Sequence, residues 1–158
     1  MATLREMAQQ FADDNDCTLE MLDHGYGGTL VFGPLRVRLM LQPGGSMLVL
    51  QTGVGILPSE DREKLALKLL AANDLLQATR GLTLGLNMDA GVITLQTAWD
   101  ITTFHQEAFS NLVRNVVTET TRWLEKLSDP NWAEGDRNAV SGDVSASDLL
   151  ANNMYLKI

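Results

Sequence analysis

Apolar residues near the N-terminus recur with the spacing of a helix. Four of them lie at positions i, i+3, i+4 and i+7 and would share one buried face: Leu4, Met7, Ala8 and Phe11. Residues 13–16 then read Asp-Asp-Asn-Asp, and carboxylates are unfavourable at the negative end of a helix dipole. We therefore expect a first amphipathic helix that ends within residues 13–16.

Between Thr18 and Thr52 the apolar residues instead alternate with polar ones, as on strands with one buried face. Turn residues divide this stretch at 25–28, 33–34 and 43–45. The pattern predicts a first strand from Leu19 through Met21 towards His24, then strands over 29–32 and 46–52. Residues 35–42 alternate cleanly, and they either continue the second strand beyond Gly33-Pro34 or begin a new one.

Residues 53–58 lead to a second predicted helix, for which Ser59 is a suitable N-cap. The apolar positions of this helix form a wide stripe: Leu65, Leu67, Leu69, Leu70, Ala71, Ala72 and Leu76. A stripe of this width indicates burial on two sides, against the sheet and against a second surface.

Two further runs of alternating residues, 82–88 and 92–97, are joined by Asp89-Ala90-Gly91. A short loop that ends in glycine between two such runs predicts a β-hairpin. A long third helix, opened by Asp100 or Thr102, is predicted from residues with i, i+3, i+4 spacing: Phe109, Leu112, Val113, Val116, Thr120, Trp123, Leu124 and Leu127. The order of helix, strands, helix, hairpin and helix predicts an α+β domain with an antiparallel sheet packed against helices.

The amino-acid composition of the chain changes after Ser128. Residues 131–148 are rich in Asn, Asp, Ser, Gly and Ala, a composition typical of a mobile tail. Apolar residues return at Leu149-Leu150 and over 154–158. We therefore expect one domain over residues 1–128, followed by a mobile acidic tail with an apolar end over 129–158.

Composition narrows the classes of protein that fit. A chain of 158 residues is typical of one domain. It contains no run near the ~20 apolar residues of a membrane span, and its first residues do not resemble a signal peptide. Its net charge of −8 disfavours nucleic acids and anionic membranes as partners, because both attract basic proteins. Cys17, the single cysteine, cannot form an internal disulfide and fits a reducing compartment.

Residues that could carry chemistry are few and scattered. His24 and His105 fall in different elements, and Cys17 would need a nearby base to act as a nucleophile. The acidic residues at 13–16 lack the spacing and the distal Glu of an EF-hand loop. The glycines of 25–28 and 53–55 match no phosphate-binding motif. We expect a binding protein rather than an enzyme, with no metal and no cofactor.

The element order and several motifs resemble the class I type III secretion chaperones, the Tir-chaperone (CesT-like) family. The resemblance covers residues 1–127 and is carried by Leu69-Leu70-Ala71-Ala72-Asn73, Gly81-Leu82-Thr83-Leu84-Gly85-Leu86-Asn87, Gly91-Val92-Ile93-Thr94-Leu95-Gln96, Phe109 and Trp123. The chain departs from the family at Ala98-Trp99-Asp100, where the family commonly has Leu-Pro. Its tail over 129–158 is also longer than the family core needs.

The resemblance implies a homodimer of α-β-β-β-α-β-β-α protomers in the bacterial cytoplasm. Such a chaperone binds the N-terminal segment of an effector in extended form, keeps it soluble and delivers it to the secretion apparatus. By their positions in the first helix and strands, the implied cargo-binding residues are Leu4, Met7, Phe11, Leu30, Phe32, Val37 and Leu39. The second helix and the last hairpin supply the implied dimer interface: Leu65, Leu69, Leu70, Leu76, Leu84 and Leu86.

Two other functions remain open at this stage. The first is a protein-interaction or regulatory domain of the same fold that works outside secretion. The second is an enzyme whose site is assembled across a dimer, with His24 or Cys17 contributing. The alternation of Met154, Leu156 and Ile158 also suggests that the tail occupies a cargo groove until an effector displaces it. Deletion of residues 130–158 would then tighten cargo binding.

Overall fold

The computed structural model describes residues 3–22 and 26–134. The chain divides into two compact units, Met1–Ser128 and Asp129–Ile158. The second unit contains one described helix, α4 (Pro130–Glu134). The apolar stretch at the end of the predicted tail lies outside the described residues, as does His24.

The described residues of the first unit form three α-helices and six strands. The helices are α1 (Leu4–Asp14), α2 (Arg62–Ala72) and α3 (Gln106–Ser128). The strands are β1 (Thr18–Met21), β2 (Gly27–Phe32), β3 (Leu35–Leu41), β4 (Met47–Ile56), β5 (Thr83–Asn87) and β6 (Val92–Asp100). They form one antiparallel sheet in the order β1-β2-β3-β4-β6-β5. The predicted α+β class and antiparallel sheet are confirmed.

Helix α1 begins and ends where its sequence predicts. The Thr3 hydroxyl accepts a hydrogen bond from the Glu6 N–H, and the Glu6 carboxylate accepts one from the Thr3 N–H, which together make a capping box. The helix ends at Asn15, whose side chain donates to the Phe11 carbonyl. The next residue, Asp16, has a positive φ of 49°, so the chain leaves the helical direction there.

Four strands separate α1 and α2, one more than the family order implies. Phe32 pairs with Leu35 across the two-residue turn Gly33-Pro34, and Gly33 adopts a φ of 56° that favours glycine. Residues 35–41 therefore form a strand of their own, which settles the alternative left open by the sequence. β4 also runs further than predicted, since a bulge at Gly53–Gly55 lets its pairing with β6 continue to Ile56.

The starts of two helices differ from the predictions. α2 begins at Arg62 after Asp61, whose φ is 52° and whose side chain makes no capping hydrogen bond. The expectation that Ser59 caps this helix was wrong. Asp100 caps a 3₁₀ turn over Ile101–Thr103 rather than the long helix. α3 starts at Gln106, three residues after this turn ends at Thr103, and its first turn includes the bond from the Phe109 N–H to the His105 carbonyl.

One face of the sheet is apolar and is covered by helices. α3 packs against β4 and β6, and α1 packs against β1 and α3. Strand residues at alternate positions fill the space beneath the helices: Leu30, Val37, Leu39, Leu48, Leu50, Ile93 and Leu95. α3 contributes Phe109, Val113, Val116 and Trp123 to the same core. α2 contacts β5 at one end of the sheet.

Candidate interaction surfaces

Helix α2 and the residues that follow it expose an apolar surface. Leu67 and Leu70 lie three residues apart on one side of α2 and are 61% and 66% exposed. Leu75 and Leu76 follow the helix and are 78% and 40% exposed, and Leu86 of β5 is 38% exposed. These five leucines form the α2 surface. Apolar clusters of this kind mark interaction sites in soluble proteins.

The predicted dimer residues divide between this surface and the core. Leu70, Leu76 and Leu86 are exposed, and Leu65 is half-buried. Leu69 and Leu84 are buried within the protomer, where they pack α2 and β5 against each other and the sheet. Their role in a dimer stays a prediction. The apolar stripe predicted for the second helix already included Leu67. Leu75 was not predicted, because it lies in an irregular segment that has no periodic pattern.

The segment that carries Leu75 has unusual backbone geometry. Leu75, Leu76 and Arg80 have φ values of 50°, 53° and 51°. Residues with a Cβ rarely adopt this left-handed conformation, and each such residue costs about 1–3 kcal/mol. Exposing a leucine at such a position combines two unfavourable features. Strain of this kind concentrates at functional sites, where the surrounding structure maintains it.

The opposite edge of the sheet offers a second surface. β1 pairs with β2 on one side, and no strand of the described residues pairs with its other side. Beyond β1, Leu22 and Tyr26 are 52% and 64% exposed. A shallow cavity of about 600 Å³ opens beside Tyr26 and is bordered by Leu41 and Pro43. An edge strand next to exposed apolar side chains can receive an extended peptide.

Six of the seven predicted cargo-binding residues lie inside the protomer core. Leu4, Met7, Phe11, Leu30, Val37 and Leu39 are 0–4% exposed, and Phe32 is half-buried. The Phe11 ring meets the rings of Phe32 and Phe109 edge-on, with centroids 6.1 and 6.2 Å apart. In this conformation of the protomer only Phe32 is open to a surface ligand. The other six would meet cargo only if the core opened, and their role stays a prediction.

The face of the sheet away from the helices is polar along part of its area. One row of paired residues runs across all six strands and contains no apolar side chain: Glu20, Thr29, Arg38, Gln51, Gln96 and Thr83. The Nε2 of the Gln51 side chain donates to the side-chain Oε1 of Gln96 over 3.0 Å. Arg36 pairs with Glu20 at 3.1 Å. The next row on this face, Gly27, Met40, Val49 and Ala98, is apolar, so the face as a whole combines polar and apolar residues.

The candidate chemical residues do not converge. Burial, with a smaller effect from Asp16, raises the pKa of the Cys17 thiol, whereas a nucleophilic cysteine needs a lowered one. His105 is exposed beside the start of α3. Within residues 3–22 and 26–134 there is no group of three His, Cys, Asp or Glu residues that could hold a metal ion. No helix in those ranges is long and apolar enough to cross a membrane.

Comparison with known families gives a match over most of the chain. Residues 6–124 match the Tir chaperone protein (CesT) family, a range that includes most of α1, the whole sheet, α2 and most of α3. The chain belongs to this family. No curated protein matches the sequence.

Solved structures share the fold at low sequence identity. A chain of the ExsC–ExsE complex is 18% identical, with a TM-score of 0.61, and the match covers 78% of this chain and 96% of that one. A chain of the heterodimeric ExoU–SpcU complex, from the type III secretion system of Pseudomonas aeruginosa, is 15% identical (TM-score 0.55; 75% and 94% covered). YbjN, a putative transcription regulator from E. coli, is 15% identical (TM-score 0.56; 75% and 87% covered).

Proposed function

We propose that this family member is a type III secretion chaperone that acts as a homodimer. In this role it binds the N-terminal segment of an effector in extended form and keeps that segment soluble and ready for secretion. The observation that carries the proposal is the family match over residues 6–124. The described surfaces suit binding, and the scattered histidine and cysteine residues do not suit catalysis.

The dimer is proposed to form through the α2 surface. Three of its leucines, Leu67, Leu70 and Leu75, are more than 60% exposed, and burial of apolar area contributes roughly 25 cal/mol per Å². The wide apolar stripe of α2 has one side on the sheet and one side in solvent, so a second copy would cover the open side. A two-fold arrangement would bring the same leucines together from both protomers.

The cargo is proposed to bind along β1 and the exposed residues beyond it. An effector segment that is disordered when free loses conformational entropy on binding, so many contacts must compensate for that loss. Backbone pairing with the outer edge of β1 would contribute part of the compensation, and apolar contacts at Leu22 and Tyr26 would add to it. In a dimer the two β1 edges would give one effector segment two places to bind.

Native mass spectrometry of the tagged protein, captured from the lysate of its own bacterium, tests this function. A complex of two copies with one larger secreted protein is the expected result. Limited proteolysis of that complex should protect only the N-terminal segment of the partner. The proposal would be contradicted if the captured protein carried no secreted partner. It would also be contradicted if the protein bound a folded domain of its partner.

The location and the next partner follow from the same proposal. A chaperone of this kind acts in the bacterial cytoplasm and hands its cargo to the secretion apparatus. Deletion of the gene should lower the amount of effector that is secreted while the effector transcript stays unchanged. Secretion at wild-type levels in the deletion strain would contradict this part of the proposal.

The likeness to YbjN favours a second candidate, a regulatory interaction domain of the same fold. Only the fold supports it, since the identity is 15%. The two candidates differ in what they bind. A regulatory domain should form a complex with a folded protein in cells that lack secreted substrates, whereas a secretion chaperone should not.

A further inference from the structure

A buried carboxylate on α3 joins that helix to the strained residues after α2. Glu119 is completely buried. Its Oε2 accepts hydrogen bonds from Arg122, including one of 2.7 Å from Nε. Its Oε1 lies 3.2 Å from Nη1 of Arg80. A buried carboxylate must be paired to be tolerated, so both arginines are required around it.

Arg80 is the only partner of one of these carboxylate oxygens among the described residues. Oε1 of Glu119 receives no hydrogen bond there, and its ion pair is with Arg80. The Arg80 side chain is 62% exposed, so it covers the carboxylate from the solvent side. Arg80 itself has a φ of 51°. The ion pair therefore holds a residue whose backbone would otherwise prefer another conformation.

Other bonds hold the rest of the segment 73–82. Arg122 also donates through Nη2 to the Ala78 carbonyl. The buried Thr79 hydroxyl lies within bonding distance of the Leu82 and Leu76 carbonyls. The Gly81 N–H donates to the Leu76 carbonyl over 3.0 Å. The segment is thus attached to α3 and closed on itself while Leu75 and Leu76 point to solvent.

We propose that Glu119, acting through Arg80 and Arg122, is a positioning residue that holds segment 73–82 in the conformation that presents Leu75 and Leu76 to a second copy of this chain. The inference rests on the proposed homodimer. Its physical basis is that the ion pairs offset the strain at Leu75, Leu76 and Arg80. Without them, the segment would relax and the leucines would lose the fixed geometry that an interface needs.

The variant Arg80→Met tests this role. It removes the guanidinium from a largely exposed position and leaves Glu119 unpaired at Oε1. Arg36→Met is the matched control, because the Arg36 side chain is 61% exposed and pairs with Glu20 at 3.1 Å, on a strand that is not next to β5 in the sheet. Arg80→Lys restores the charge and serves as the rescue variant.

Two measurements on the full chain decide the outcome. Sedimentation velocity over a dilution series should show a dimer dissociation constant weakened by about tenfold or more in Arg80→Met, near wild type in Arg36→Met and partly restored in Arg80→Lys. Hydrogen exchange on dilute, monomeric protein should accelerate in residues 73–82 of Arg80→Met and stay unchanged in β2 and β3. Only this second measurement separates positioning from a general loss of stability.

Results that contradict the homodimer can be distinguished from results that contradict the positioning role. A wild-type protein that is monomeric at every concentration would overturn the proposed homodimer. A wild-type dimer with the same dissociation constant in Arg80→Met and Arg36→Met would overturn the positioning role and leave the homodimer standing. Exchange that accelerates equally throughout the sheet would also overturn the positioning role, because it would show a global rather than a local effect.

Discussion

The side chain of Asn73 takes the place of a neighbouring strand for Leu84. Its Oδ1 accepts a hydrogen bond from the Leu84 N–H over 2.8 Å, and its Nδ2 donates to the Leu84 carbonyl over 3.0 Å. Leu84 lies on β5, one of the two edge strands of the sheet. The amide thus satisfies both backbone groups of one edge residue and attaches the end of α2 to the sheet. It also makes β5 less able to pair with another chain.

Replacement of Asn73 by alanine should destabilise the protein. The two backbone groups of Leu84 would lose their partners in a partly buried place, which we expect to cost about 1–3 kcal/mol of unfolding free energy. Urea denaturation measures this loss. Asn111→Ala on the exposed side of α3 is the control and should change stability by less than about 0.5 kcal/mol. Equal losses in the two variants would show that the Asn73 bonds contribute nothing particular.

The capping box of α1 predicts a pH-dependent contribution to stability. Hydrogen bonds from the Thr3 backbone and hydroxyl lower the pKa of Glu6 below its ordinary value of 4.5. A carboxyl whose pKa is lower in the folded state stabilises the fold above its unfolded pKa, and it loses this effect as pH falls through the folded pKa. The stability advantage of wild type over Glu6→Ala should therefore be full at pH 7 and shrink below pH 4.5.

Thermal denaturation of both proteins between pH 7 and pH 3 measures this advantage. Glu107→Ala supplies the matched control, because Glu107 occupies the first turn of α3 and is exposed. The advantage attributable to the capping box is the part that exceeds this control. An advantage that persists undiminished at pH 3 would contradict the assignment to the Glu6 carboxylate.

The sequence could predict the elements but not what covers each of them. Period-two alternation at residues 35–41 identified a half-buried strand correctly, and helical spacing identified α1 and α3. Alternation says which side chains face inward, yet it gives no information on whether a helix or a ligand lies above them. Leu30, Val37 and Leu39 were assigned to cargo, whereas they are fully buried inside the protomer.

The segment between α2 and β5 was hidden from sequence reasoning for a different reason. Local propensity does not favour a left-handed backbone for Leu75 or Leu76. Their conformation depends on distant groups, above all Glu119 and Arg122 on α3, which lie more than forty positions away in the chain. Such a tertiary contact overrides the local preference and leaves no periodic signal. The prediction that Ser59 caps α2 was also wrong, because the left-handed backbone of Asp61 turns the chain just before the helix.

The packing between β1 and β2 predicts a strict requirement for glycine at position 28. A Cβ placed on Gly28 would lie 2.8 Å from the Met21 sulfur and 2.9 Å from the Glu20 carbonyl oxygen. The carbonyl belongs to the backbone of β1, so β1 would have to move. We expect Gly28→Ala to cost about 1–3 kcal/mol and to weaken effector binding, because it displaces the proposed cargo strand.

Gly53→Ala is the control for this substitution. A Cβ on Gly53 meets only a Val92 methyl group at 3.3 Å, and a side chain can move aside more easily than a strand. Chemical denaturation gives the stability of both variants, and calorimetric titration with the effector's N-terminal segment gives the affinity. Normal affinity in a folded Gly28→Ala variant would argue against β1 as the cargo strand.

Replacement of an exposed leucine by aspartate should weaken the dimer at one edge of the sheet and effector binding at the other. Leu70 is 66% exposed on α2 next to edge strand β5, and Leu22 is 52% exposed beyond edge strand β1. An aspartate at position 70 would place a charge from each protomer in the proposed apolar interface. We expect Leu70→Asp to weaken the dimer by about 30-fold or more, as for an interface hot spot. Leu22→Asp should leave the dimer intact and reduce effector affinity.

Sedimentation velocity and calorimetric titration on both variants measure these two effects separately. Each variant is the control for the other, since both replace an exposed leucine by a charge. The expected crossed result assigns dimerisation to the β5 side and cargo binding to the β1 side, because a general loss of folding would lower both readouts in both proteins. If Leu22→Asp dissociated the dimer and Leu70→Asp did not, dimerisation would have to be assigned to the β1 side instead of the β5 side.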